Sequence, residues 1–474
     1  MLTPIKTPLW DALRRHSMGN VGFHTPGHNR GVGLPTTLED WKEIARFDLS
    51  ELEGLDSLHA PTGVIAEAQS LAAEAWGAER TWFLVNGSSA GIEAMLLAAT
   101  RPEERILIPR NCHQSIIHGL VLSGAVPVFL EPAWDPQWQL AHGLTAGAVD
   151  AALRQDPHIR AVLLVHPTYF GAVGETRAIA EVVHARGLPL LVDAAHGAHL
   201  HFHPELPECA LTCGADLVVH SAHKTLPALT QSALLHQQGT RIDPERVARA
   251  LRLVQSTSPS YLLMASLDCA RAWMVEHGPR LLGQTQALAE RVHQLSPLPC
   301  LRRDRCGLIA GLTDLDPTRL VIDVASHGWT GYAAEEWIAA RYGVYAELGT
   351  FHQLVFILNT AHRPADIDRL LSALSALARA PRPLLPAIPP LPPVPPQVFS
   401  PRRAFDYPHG SVSFEEAIGR ISAQTVSAYP PGTPVLVAGE RVTSQVCNYL
   451  DAVRECGGWT SGLTQDGQLL ILLD

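Results

Sequence analysis

Between residues 80 and 240 the chain alternates short, wholly apolar runs with longer stretches of helical period. The runs are Trp82-Phe83-Leu84-Val85, Ile106-Leu107-Ile108, Val126-Pro127-Val128-Phe129-Leu130, Ala161-Val162-Leu163-Leu164-Val165, Leu190-Leu191-Val192 and Leu217-Val218-Val219. Between them lie segments such as 92–99 and 176–186, where Ala, Val and Glu recur at helical spacing. A strand that is apolar on both faces needs cover on both, and strands separated by helices join in parallel. The pattern predicts an α/β domain on a mainly parallel sheet. In such sheets a ligand sits beyond the carboxyl ends of the strands. Asn86-Gly87-Ser88-Ser89, His113, Thr168, Asp193 and Ser221-Ala222-His223-Lys224 all fall at or just after predicted strand ends. Polar chemistry therefore gathers on one edge.

Past residue 300 the texture changes. Segments 319–323 and 343–358 predict strands of a smaller α/β domain. Pro381-Arg382-Pro383, running on to Pro389-Pro390-Leu391-Pro392-Pro393-Val394-Pro395-Pro396, reads as a stiff polyproline-like connector. Beyond it a helix-like stretch at 414–428 and a strand-like Val435-Leu436-Val437 predict a C-terminal α+β appendage. The organisation expected is an N-terminal arm and substrate loop (1–65), a large domain (66–295), a small domain (296–380), a linker (381–400) and a C-terminal domain (401–474).

Composition narrows the class. At 474 residues, 46% hydrophobic and 17% charged, the chain is long enough for two or three domains with a large core. No apolar run reaches the ~18–20 residues needed to span a bilayer. Met1-Leu2-Thr3-Pro4-Ile5-Lys6 lacks the basic-then-apolar layout of a signal peptide. A cytoplasmic protein with no membrane partner is expected. The net charge of −10, with no Lys/Arg stripe, disfavours nucleic acid and tolerates a cationic small substrate. Eight scattered Cys without a Cys-x-x-Cys read as core thiols, not as a disulfide framework. His196, His199, His201, His203, Cys209 and Cys213 cluster in sequence, and His199, His201 and His203 would share one face of a strand. The paired Cys spacing of a zinc site is missing, so no metal is expected.

The chemistry centres on Asp193, after one apolar run, and Lys224, after another. A pyridoxal 5'-phosphate (PLP) enzyme requires such a pair: a Lys to bond the cofactor aldehyde, and a carboxylate to keep the pyridine nitrogen protonated. Taken singly, a strand-end Lys is more often a solvated surface residue, and a strand-end Asp a helix cap. The other parts of the site make the pair specific. Ser88, Ser89 and Ala90 open a helix-like stretch whose amides and hydroxyls suit a phosphate dianion, with Ser221 and His223 as further donors. His113 is placed to stack on one face of the ring, and Ala195, two residues past Asp193, is small enough for the other.

These motifs together resemble the Orn/Lys/Arg decarboxylases, a fold-type-I (aspartate-aminotransferase-like) PLP family, in the short form without an N-terminal wing domain. The matching segments include Phe23-His24-Thr25-Pro26-Gly27-His28, Gly54-Leu55-Asp56-Ser57-Leu58-His59-Ala60-Pro61-Thr62-Gly63, Phe83-Leu84-Val85-Asn86-Gly87-Ser88-Ser89 and Arg110-Asn111-Cys112-His113. Pro167-Thr168-Tyr169, Asp193 with Ala195 and His196, His220 through Leu226, Gln255-Ser256-Thr257-Ser258-Pro259-Ser260-Tyr261, Glu416-Ala417-Ile418-Gly419-Arg420 and Tyr429-Pro430-Pro431-Gly432 continue the likeness over nearly the whole chain. The resemblance implies that Lys224 carries the cofactor, Asp193 faces the ring nitrogen and His113 stacks. It makes Ser88, Ser89, Ala90, Thr168, Ala195, His196, Ser221 and His223 cofactor neighbours. His223 or Lys224 returns the proton to Cα. It also implies a homodimer or larger homo-oligomer, in which the Gln255-to-Tyr261 segment nears the neighbouring subunit's cofactor. Two positions depart from the family's usual residues: Ala194 stands where an acid is usual, and His166 where a smaller polar residue is usual.

A cationic substrate needs a carboxylate at its far end, and Asp56 and Glu347 are the first choices among Asp48, Glu51, Glu53, Asp56 and Glu347. The activity implied is decarboxylation of a basic L-amino acid, arginine ahead of lysine or ornithine, to the amine of the polyamine pathway and CO2. Two other readings stay open on the residues alone. One is a different fold-type-I reaction, aminotransferase or lyase, for which Arg341 would have to clamp the substrate carboxylate. The other is a catalytically idle PLP-fold scaffold or regulator.

Overall fold

A computed structural model describes residues 6–18, 21–381, 390–429 and 432–473. Residues 1–5, most of the Pro-rich connector (382–389) and Pro430-Pro431, on which three of the readings above fall, lie outside the described residues. Seven strands are numbered in chain order: β1 (Arg80–Leu84), β2 (Arg105–Pro109), β3 (Val126–Leu130), β4 (Ile159–Val165), β5 (Leu190–Asp193), β6 (Leu217–His220) and β7 (Ala233–Gln237). The chain divides into two compact units, each assembled from separate stretches: 1–98 with 191–281, and 99–190 with 282–474.

The first unit holds the strand order β1–β7–β6–β5. β5 and β6 are parallel, with Asp193 opposite Val219, while β6–β7 and β7–β1 are antiparallel. Two antiparallel steps restore direction, so β1, β5 and β6 all end at the same edge. β5, β6 and β7 are buried throughout, as a sheet covered on both faces requires. The helix Gly87–Ala99 follows β1 and packs closely on it. A Cβ at Gly91 would stand 2.6 Å from Leu84 Cδ1 and 2.9 Å from Val219 Cγ2, a space that only glycine fills.

In the second unit β2 pairs in parallel with β3 and β4. A three-stranded antiparallel sheet (Arg319–Asp323, Gln353–Ile357 and Leu348–Gly349) packs with the helices Gly331–Tyr342 and Pro364–Arg379 around Leu320, Ile322, Leu354, Ile338 and Leu374. A separate core of Val446, Leu450, Val453, Leu469 and Ile471 belongs to the C-terminal segment, beneath the helix Ser444–Glu455.

Two expected elements differ. The helix-like stretch 414–428 is helical only over Phe414–Ala417, opened by a capping box between Ser413 and Glu416. Gly419, at φ +86°, turns the chain away, and Val426–Tyr429 is a strand. His199, His201 and His203 do not alternate along a strand, because Leu200–Phe202 is a 3-10 turn. Among the described residues, no group of three His, Cys, Asp or Glu is placed to hold a metal ion, and no helix is long and apolar enough to cross a membrane.

Candidate active site

In the first unit the shared strand ends bring the expected residues together. Asp193 is the last residue of β5 and is only 4% exposed, with Oδ1 accepting the Ala195 amide at 3.1 Å. Ala195 is itself buried, two residues on. β6 ends at His220, and Ser221 caps the single helical turn Ala222–Thr225 that carries His223 and Lys224. Ser221 Oγ donates to Ser88 Oγ at 2.7 Å, so the turns after β6 and after β1 meet. Ser88, Ser89 and buried Ala90 lie in the first turn of the helix Gly87–Ala99, where backbone amides lack helical partners.

Lys224 Nζ stands 3.0 Å from His196 Nε2. When Nζ is an ammonium it can only donate, and His196 Nε2 is then the accepting nitrogen. His223 Nδ1 lies 3.1 Å from the Ser232 carbonyl oxygen, which only accepts. That bond places a hydrogen on Nδ1 and leaves Nε2 to exchange protons. Behind the edge, His220 Nδ1 is 3.1 Å from His236 Nε2, and His236 Nδ1 is 2.8 Å from Thr81 Oγ1. Burial pulls the His236 pKa down to about 3, so His236 stays neutral.

Asp56 is held by its own loop. Its Oδ1 accepts the amides of Ser57 and Thr62, and its Oδ2 those of Gly63, Ile65 and Ala66. Burial pushes its carboxyl up, but the Thr62, Ser57, Gly63 and Ala66 amides outweigh it and hold the group below the usual carboxylate range. Five donors engage both oxygens, so Asp56 organises the loop before the helix Val64–Trp76.

The second unit holds the remaining predicted residues. His113 is exposed and caps the helix Gln114–Ser123, its Nδ1 accepting the Ser115 amide at 3.2 Å. Thr168 is buried in a tight turn, its Oγ1 accepting the Ala172 amide. Glu347 is exposed and accepts the Tyr169 hydroxyl at 2.5 Å. Of the two departures, His166 is buried with Nδ1 2.7 Å from Thr176 Oγ1, and Ala194 is buried with its amide on the Val219 carbonyl. Both are occupied with packing. Sequence reasoning passed over the Arg110–Glu440 ion pair, whose partners are 330 residues apart and share no local pattern.

The donor set in the first unit fits PLP: a buried carboxylate for the ring nitrogen, a lysine amine beside a histidine, and hydroxyls at a helix N-terminus for the phosphate. Fold and donor set together define a fold-type-I PLP enzyme. The description "Orn/Lys/Arg decarboxylase, major domain" matches residues 7–301, and that family's C-terminal domain matches 395–468. The arginine decarboxylase of Halalkalibacterium halodurans is 38% identical over 456 residues, covering 94% of this chain and 93% of that one. The arginine decarboxylase of Bacillus subtilis is equally similar, at 38% over 456 residues with the same coverage. The crystal structure of the Francisella novicida lysine decarboxylase LdcF superposes with a TM-score of 0.84 at 21% identity, over 99% of this chain and 81% of that one, which speaks for the fold alone. The chain belongs to the Orn/Lys/Arg decarboxylase family and is a PLP-dependent decarboxylase of basic amino acids.

Proposed function

We propose that the substrate is L-arginine, that Lys224 carries the cofactor, and that the products are the decarboxylated amine and CO2. The observation that carries the assignment of the site is the strand register that brings Asp193, Ser88 and the Ser221-to-Lys224 turn to one edge. The choice of arginine is supported by the two relatives named arginine decarboxylase. Bound PLP supplies an electron sink for the bond to the departing carboxylate. The chain's own residues do the rest. Ser88, Ser89 and Ser221, with the amides of the helix start, hold the phosphate. Asp193 holds the proton on the ring nitrogen from a site that excludes water. His196 takes a proton from Lys224 Nζ and leaves a nucleophilic amine. His223 Nε2 or Lys224 Nζ delivers the proton that replaces CO2 at Cα. Glu347, exposed and accepting the Tyr169 hydroxyl, is the acid we assign to the substrate's cationic end. The family resemblance supports keeping Ala195 and His113 as ring-stacking residues and Thr168 as a ring neighbour. The eight cysteines are thiols, which supports a cytoplasmic setting.

Borohydride reduction of the holoenzyme followed by peptide mapping should place the pyridoxyl group on Lys224, and a label on another lysine overturns that role. CO2 release should rank arginine first, lysine and ornithine next, and norleucine far behind, because a pocket carboxylate left without its cation is strongly disfavoured. A faster rate with lysine or ornithine overturns arginine. A faster rate with glutamate overturns the cationic subsite.

A further inference from the structure

Arg110 follows β2 and begins the Arg110-Asn111-Cys112-His113 turn. Its backbone amide continues the sheet by donating to Leu130 O at 2.9 Å. Its side chain turns to the C-terminal segment. Nη1 donates to Glu440 Oε1 at 2.6 Å, and Nη2 to Glu440 Oε2 at 2.9 Å and to the Val435 carbonyl at 3.1 Å. The Glu440 side chain is fully buried, and its Oε2 also accepts the Val437 amide at 2.7 Å. The guanidinium lies 4.8 Å from the Phe129 ring centroid. A two-pronged ion pair in a dry site has one good geometry. It fixes the turn three residues before His113. A second hold lies just beyond it. The helix Gln114–Ser123, which His113 caps, packs on the helix Pro401–Asp406, and Arg402 Nη1 reaches the Val121 carbonyl at 3.4 Å.

We propose that the C-terminal domain is a positioning device for the His113 ring. Glu440 acts through Arg110 on one side of His113, and the Pro401–Asp406 helix acts on the other. Neither Glu440 nor Arg402 is assigned a contact with substrate or cofactor; both work through the backbone that presents His113. The inference rests on the reading of His113 as a ring-stacking residue, and its test separates the two.

Glu440→Gln keeps the shape and removes the charge. In the cofactor-free protein, amide exchange at residues 113–117 should quicken at least tenfold in this variant. In Leu374→Ala, a core change in the small domain chosen for a comparable fall in Tm, those amides should exchange as in the parent. In the holoenzyme, the visible circular dichroism of the bound cofactor should drop to half or less, with kcat down tenfold or more and KM within threefold. Arg402→Ala, at the partly exposed second hold, should give the same pattern in weaker form and serves as the test if Glu440→Gln does not fold. Unchanged exchange at 113–117 in a folded Glu440→Gln or Arg402→Ala protein overturns the positioning role. His113→Ala is the reference: if it leaves the cofactor's dichroism intact while exchange still quickens in Glu440→Gln, the ring-stacking reading falls and the hold on the turn stands.

Discussion

Two aspartates show how surroundings decide what one residue type does. Asp193 ends a buried strand and keeps its carboxylate among the site residues, whereas Asp56 has both oxygens engaged by loop amides. Their variants should fail differently. Asp193→Ala should retain PLP through Lys224 and the phosphate donors yet lose turnover by several powers of ten, each costing about 1.4 kcal/mol of transition-state stabilisation. Asp56→Asn should instead lose stability, roughly 1–3 kcal/mol for amides left with a neutral partner. The effect has a sign in pH. A carboxylate held below its ordinary range stabilises the fold above the unfolded value of about 3.9 and loses that contribution as pH falls through the folded value. Melting curves from pH 7 to 3 should therefore show the parent and Asp56→Asn converging at the acid end; a gap that stays constant to pH 3 rejects the assignment. Nothing in the sequence signals that Asp56 is claimed by backbone amides. The five amides that claim Asp56 come from residues up to ten positions away.

At the scale of elements, the phosphate-binding turn depends on how closely the helix Gly87–Ala99 approaches the sheet. Gly91→Ala would push a methyl to 2.6 Å from Leu84 and 2.9 Å from Val219. The helix must lift, at about 1–3 kcal/mol for overpacking of this kind, and Ser88 must move relative to Ser221. The expected result is a lower Tm together with a tenfold or greater loss of PLP affinity by fluorescence titration; unaltered affinity would show that the turn holds its shape without the helix. The six apolar runs read from the sequence all became strands, since burial on both faces leaves a mark in the sequence. β7 left none. His236 and Gln237 interrupt its apolar run, yet the strand is wholly buried, because His236 meets Thr81 and His220, and Gln237 Nε2 donates to the Ile242 carbonyl. Thr81 lies 155 residues from His236, so no local pattern announces that partner. The gathering of Asp193, Ser88 and the Ser221-to-Lys224 turn was legible because they follow strand ends; the Arg110–Glu440 pair, 330 residues apart, was not.

At the scale of the whole molecule, the first unit carries apolar side chains that its own core leaves uncovered. Phe23 is 98% exposed, Val21 and Val32 each 82% and Trp41 63%. Neighbouring apolar residues at that exposure within one short segment mark an interaction surface. Phe23 belongs to the family-like Phe23-to-His28 segment. A second observation points to the same kind of partner. Gln255 is tied inward, donating from Nε2 to Phe83 O and accepting the Val85 amide, while the next residues, Ser256, Thr257 and Ser258, face solvent. We infer that a second copy of this chain covers the N-terminal segment. Sedimentation velocity of the holoenzyme should find a species of twice the 51.3 kDa chain mass. Phe23→Asp combined with Trp41→Glu should shift it toward monomer with little loss of Tm at matched loading, because neither side chain supports its own core. A parent protein that sediments as an active monomer at working concentration overturns the inference. A double variant that stays dimeric moves the interface away from the 21–41 segment and onto another face.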